Sequence, residues 1–251
     1  MRSWAAKFDG RQVYFLPRHG RGHRLLPHRI ESSRQHLCAP FPRGALDHLR
    51  DGGRQLAGKI RAARCAPAVA ILRPDEPAGG AHFFGGGIAA HITFAEPICA
   101  PLRDLLAEVA ASLGLRVHNG GTYVNMDGPA FSTRAESELN RRHGFDVIGM
   151  TNLPEAKLAR EAEIALATMA MITDYDCWKT EEEPVSAQTV IEHLLANAET
   201  AKKVLCDGNP AIPRVADWPE HRALDSALIT DKKLWPTATA GKLRAILERF
   251  D

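Results

Sequence analysis

From residue 83 onward the apolar positions keep changing their spacing, and each change marks an element. In PLRDLLAEVAASLGL, Leu102, Leu105, Leu106, Val109 and Leu113 fall on one helical face, and Gly114 is a natural stop. RVHNGGTYVNM reads as a strand pair or a strand-loop-strand around Gly120 and Gly121. FSTRAESELNRRHG carries Thr133 and Glu136 at capping-box spacing, which predicts a short helix ending at Gly144. FDVIGM is a short buried strand, and PEAKLAREA is a helix with Pro154 near its first turn. IALATMAMIT is apolar enough to predict a central strand covered on both faces. SAQTVIEHLLANAETAKKVL predicts a long amphipathic helix with Val190, Ile191, Leu194, Leu195 and Ala198 inward, and a last helix covers roughly Ala238 to Phe250. Strands alternating with helices predict an α/β layered fold.

Residues 31 to 82 break the pattern. They are crowded with Arg, Ala, Pro and Gly, and only a weak period survives around Leu46 to Ile60. A loop of that length is uncommon inside a compact domain. The chain of 251 residues is otherwise the size of one α/β domain. Its net charge of +2 gives no reason to expect a nucleic-acid partner. No apolar run approaches the roughly 18 residues that span a bilayer. The five cysteines are scattered without zinc spacing, so a reduced, cytoplasmic protein without a metal centre is expected.

Four stretches carry candidate chemistry. In MITDYDCW, Asp174 and Asp176 follow the central strand, where open α/β sheets bind ligands. A carboxyl there serves proton transfer to a heterocyclic nitrogen if burial raises its pKa, or serves only as a turn acceptor. GMTNLPEA places the Thr151 hydroxyl at a strand end beside a helix N-terminus, suited to an anion or to a plain cap. LPRHGRGHRLLPHR packs Arg18, His19 and further basic residues into one loop, suited to phosphate or merely solvated. That loop has no interleaved aromatics, which argues against nucleic acid. GPAFSTRAE puts Phe131 beside hydroxyls and an acid, where the ring stacks on a base or fills a core.

In this order, FLPRHGRGHRLLPH, FFGGGIAAH, GPAFSTRAE, GMTNLPEAKLAREAEI and TDYDCW resemble the trimeric purine nucleoside phosphorylase family, above all its methylthioadenosine-cleaving branch. The resemblance implies a single α/β domain with a central mixed sheet flanked by helices. It implies attack of phosphate on the anomeric carbon of a purine nucleoside, with inorganic phosphate as co-substrate and no other cofactor. By position, Arg18, His19 and Thr151 match phosphate contacts, Met150 a ribose contact and Phe131 the purine face. Asp174 matches the residue at N7 and the exocyclic group, with Asp176 beside it. His91, Val190 and Ile191 match the pocket for the sugar's 5′ substituent, and a homotrimer is implied. An acid at 174 accepts from a 6-amino group while donating to N7, so adenine nucleosides are favoured. Two rivals stand beside this: a 6-oxopurine phosphorylase, and an inactive relic that binds purine without turnover.

The chain departs from the family twice. The family's opening strand and Gly-rich phosphate loop do not precede FDGRQVYFLPRHG, so an N-terminal truncation is expected. Residues 31 to 82 also lack its NYRANI and GSLRE segments. Codons exist for which RQHLCA, read one base later, becomes Ala-Asn-Ile-Cys-Ala, and QLAGKIRA becomes Ser-Leu-Arg-Glu-Lys-Tyr-Ala. Both windows need the same shift. An out-of-frame segment from about 31 to 82 is therefore expected, unable to supply the central strand or its phosphate contacts.

Overall fold

The computed structural model describes residues 4–15, 46–55, 65–67, 70–72, 82–128, 130–179, 187–214 and 216–250. Strands β1 (Trp4–Phe8) and β2 (Arg11–Phe15) form a separate antiparallel hairpin. Its turn is Asp9-Gly10, both at positive φ, as a tight two-residue turn demands.

The main sheet has six strands. They are β3 (Leu46–Gln55), β4 (Cys65–Pro67), β5 (Ala70–Leu72), β6 (Thr122–Asn125), β7 (Val147–Gly149) and β8 (Ala165–Tyr175). Their order is β4-β8-β3-β7-β6-β5. The sheet is mixed: β3 runs parallel to β8 but antiparallel to β7, and β7, β6 and β5 run parallel to one another. The placement of β3 corrects one expectation, since the stretch from 31 to 82 does contribute a central strand. Pairing is a main-chain property, and the ladders offered by β7 and β8 are filled whatever side chains β3 carries.

Helices α1 (Ala100–Ser112), α3 (Asn152–Glu161) and α4 (Ala187–Ala211) flank the sheet, and α2 (Arg134–Arg142) joins β6 to β7. The principal core lies between α1, α3, α4 and β8, with Leu102, Leu106, Ala156, Leu166, Met169, Ala201 and Val204 at its centre. Strand β8 is buried along its length up to Asp174, as a two-sided strand must be. Full burial of side chains such as Leu166, Met169 and Ile172 contributes about 1.5–3 kcal/mol each. Helix α2 has the predicted capping box in full: Thr133 Oγ1 accepts from Glu136 N, and Glu136 accepts from Thr133 N.

Two helix expectations change. Leu113 is not on the buried face of α1; it stands at the helix end, partly exposed. The predicted last helix is broken into α5 (Thr237–Lys242) and α6 (Arg244–Leu247). The break falls at Leu243, which turns its side chain into a second core with Ile88, Leu224, Ala227, Ile246 and Leu247. Glycine at 241, a poor helix former, weakens the turn before it.

Candidate active site

Asp174 lies at the end of β8, 5% exposed, and Asp176 follows, fully buried. Thr173 donates its hydroxyl to Asp174 Oδ2 at 2.8 Å. The apolar run that precedes them explains this burial, because it carries both carboxylates down into the fold before the chain turns at Cys177. The turn is held from outside. Arg141 of α2 stacks over Trp178 at 3.8 Å, and Tyr175 meets Trp178 edge to face.

Met150 and Thr151 form the turn between β7 and α3. Because β7 is antiparallel to β3, the carboxyl ends of β7 and β8 do not share an edge of the sheet. Instead both flank the end of β3: Arg54 pairs with Asp174 on one side and with Ile148 on the other. Asp174 and Ile148 therefore lie two strand spacings apart, about 10 Å, on either side of Arg54, with β3 between them.

A chain of contacts joins these two sides. Cys177 Sγ donates to Ser132 O at 3.4 Å, and Ser132 Oγ donates to Met126 Sδ at 3.9 Å. Met126 N donates to Gly149 O at 2.8 Å. Gly128, at φ +65°, lies against Met150: a Cβ there would come within 2.6 Å of the Met150 sulfur. Phe131, beside Ser132, is 58% exposed, an open aromatic face for a large apolar ring. The turn after β8, which follows Asp174 and Asp176, is thus linked through the segment that carries Phe131 to the end of β7, which leads into Met150 and Thr151.

The remaining candidates fall elsewhere. Arg18 and His19 lie outside the described residues. Val190 and Ile191 lie near the start of α4. His91 is exposed, and its backbone N donates to Ala227 O at 2.8 Å on the wall of the second core. A cleft of about 420 Å³ on that wall is lined by His82, Phe84, Gly87, Ile88, Glu161 and Thr230, and contains none of the candidate residues.

Sequence reasoning passed over two features. Asn125, at the end of β6, accepts from Leu153 N at 3.1 Å and so caps α3. The only signal was an Asn just ahead of a glycine turn. The other is the inward polar face of α3, where Glu155, Lys157, Arg160 and Glu161 are all buried. Arg160 donates to Thr93 O at 3.1 Å, while Glu161 accepts from Phe83 N at 2.6 Å and pairs with His82 at 2.8 Å. These bonds fix the FFGGG segment on the helix.

The Phosphorylase superfamily profile matches residues 47–207. The chain belongs to the Phosphorylase superfamily. It is 44% identical to the S-methyl-5'-thioadenosine phosphorylase of Gloeobacter violaceus, over 96% of this chain and 82% of that one. Identity to the S-methyl-5'-thioadenosine phosphorylase of Chloroflexus aurantiacus is 42%, over 97% and 85%. The fold superimposes with a TM-score of 0.88 on a methylthioadenosine phosphorylase from an antarctic soil metagenomic library, 33% identical and covering 98% of this chain and 92% of that chain. This superfamily membership agrees with the α/β fold and mixed sheet. No described helix is long and apolar enough to cross a membrane.

Proposed function

We propose that the chain catalyses phosphorolysis of S-methyl-5'-thioadenosine to adenine and 5-methylthioribose 1-phosphate. The observation that carries this is the buried acid pair at the end of β8 beside an open Phe131, in a chain so similar to methylthioadenosine phosphorylases. A phosphate oxygen bonds to the anomeric carbon as the bond from that carbon to the purine N9 breaks. The electron pair of the broken bond passes into the purine ring. Asp174 donates a hydrogen bond at N7, where that charge collects, and accepts from the 6-amino group. Asp176 supports it from the following turn. Thr151, with Arg18 and His19, holds phosphate; Met150 lies on the ribose. No metal or organic cofactor enters the reaction, and inorganic phosphate is the co-substrate.

Three copies complete the site in this reading. His91 is exposed on a wall that also carries the exposed side chain of Ile229, whose N donates to Ala89 O. That wall is suited to offering His91 to the 5′ substituent in a neighbouring copy, where Val190 and Ile191 line the other side. Localisation in the cytoplasm accords with free thiols.

We further propose that residues from about 31 to 82 are translated out of frame. The genetic code supports this at three positions of β3 without any choice of codons. Read one base later, Asp47 before His48 becomes Ile or Thr, and His48 before Leu49 becomes Ile or Thr. Asp51 before Gly52 becomes Met or Thr. The ionisable side chains vanish from all three positions.

One assay tests both readings: adenine release from methylthioadenosine, with and without phosphate, by this chain and by a frame-restored version. Phosphate-dependent release by this chain at the rate of the restored version supports the activity and overturns the frame reading. Release by the restored version alone supports the frame reading and assigns the activity to the restored sequence, not to this chain. Release by neither overturns the activity. Inosine as substrate separates the 6-oxopurine rival, and methylthioadenosine binding without turnover in both versions identifies a relic.

A further inference from the structure

Helix α3 begins at Asn152, and the residue before it, Thr151, has φ −123° and ψ −21° and makes no side-chain cap bond. Side-chain capping of the first turn falls to another strand. Asn125, 6% exposed and 28 positions earlier, presents Oδ1 to Leu153 N at 3.1 Å. A second bond grips the same turn from the other side, because Met126 N donates to Gly149 O at 2.8 Å. From β8, the fully buried Thr168 donates to Asn152 Oδ1 at 2.7 Å. Met150 and Thr151 are therefore suspended between fixed points on three strands. The segment that supplies two of these points also carries Gly128, on which the Met150 side chain rests.

We infer that Asn125 is a positioning residue, which sets the Met150–Thr151 turn for the sugar while leaving the purine contacts alone. This rests on the reading of Met150 as a ribose contact. An Asn beside a helix N-terminus satisfies an orphan donor from outside the helix. Without it the turn drifts, and a drift of about 1 Å is enough to lose a well-aligned contact. Asp174 stands on β8, outside this turn, and keeps its place.

The test compares affinities for methylthioadenosine and for free adenine, read from tryptophan fluorescence with no phosphate present. Asn125→Ala is expected to weaken the nucleoside about tenfold and adenine less than twofold. Asn125→Asp, an acceptor of the same length, is expected to recover most of the nucleoside affinity. A general loss of packing would weaken both ligands together, and that result overturns the inference. Asn125→Gln covers the case in which the alanine variant does not fold: if it melts with the parent and keeps the parent's nucleoside affinity, Asn125 does not position the turn. Met150→Ala, measured alongside, keeps the two readings apart. If it leaves nucleoside affinity unchanged, Met150 is not a ribose contact; if it alone weakens the nucleoside, Asn125 is only a cap.

Discussion

Strands β8 and β3 lie side by side in parallel register, yet they are built from opposite materials. β8 reads ALATMAMITDY, and no charge interrupts it before Asp174. β3 reads LDHLRDGGRQ, with Asp47, His48, Arg50 and Asp51 aligned to Leu166, Ala167, Met169 and Ala170. The strand on the other side of β3 is buried throughout as well. A parallel strand inside a covered sheet is normally a near-continuous apolar run. Main-chain ladders decide where a strand can go, and side chains decide whether it is stable there. β8 meets both requirements, whereas the sequence of β3 lacks the apolar run that this place calls for. That mismatch is the strongest reason for reading β3 as out of frame, and it bears on function because β3 lies between Asp174 and Ile148.

The largest expected effect is on turnover. A version restored to the shifted frame should release adenine from methylthioadenosine at least about a hundredfold faster than this chain, the order expected when phosphate positioning is regained. Equal rates would break the comparison outright.

Next is a pair of stability measurements at one register position. Ala170→Asp in β8 should cost more than about 3 kcal/mol or prevent folding, since it buries an unpaired charge. Asp51→Val, directly across the ladder, should raise the urea midpoint of the chain. If Asp51→Val destabilises, β3 is adapted to its charges and the comparison loses its meaning.

A smaller effect probes the packing behind β8. Cys99 N donates to Leu166 O, and burial pushes the Cys99 thiol up to about 12. The unfolded chain ionises this thiol near pH 9, before the folded one does. The stabilisation is therefore whole below pH 9 and is lost as pH rises toward 12, by at most about 1.4 kcal/mol per pH unit. Urea melts between pH 8 and 10.5 should fall more steeply for the parent than for Cys99→Ala. The smallest expected effect is in α2. Thr133→Ala removes an N-cap and should cost about 1 kcal/mol by thermal melt, leaving methylthioadenosine affinity unchanged.

Much of this fold was legible because local rules and tertiary needs agreed. The capping box at Thr133 and Glu136, the β8 run and the Val147–Gly149 strand all formed where periodicity put them. The hairpin at Asp9-Gly10 was overlooked although its turn is a strong local signal. The α3 face was unreadable for another reason. Charged side chains pattern as a solvated surface, and here backbone carbonyls, a backbone N–H and a histidine from residues 82 to 96 take water's place. The last helix broke because Leu243 serves a second core, whose existence depends on residues far away in sequence. In the site, acid residues at the end of β8 and a hydroxyl at the start of α3 were visible as types. That they lie on either side of β3 follows from the strand order of the sheet, which no spacing reveals.

The end of α3 has a further consequence, for how the molecule opens. Ala162 packs against the principal core and also against the second one. Glu163 follows at φ 58°, and its carboxylate accepts from Leu224 N at 2.9 Å and from Arg249 Nε at 2.7 Å. Two residues thus join two cores, beside the bonds from Glu161 to His82 and Phe83. Cooperative units of this kind exchange their amide hydrogens at separate free energies unless a joint couples them. With Glu163 intact, the amides around Leu224 and Ile246 should exchange in step with those of β8. With Glu163→Gln, the second core should become an independent opening unit that exposes the His91 wall while the principal core stays closed.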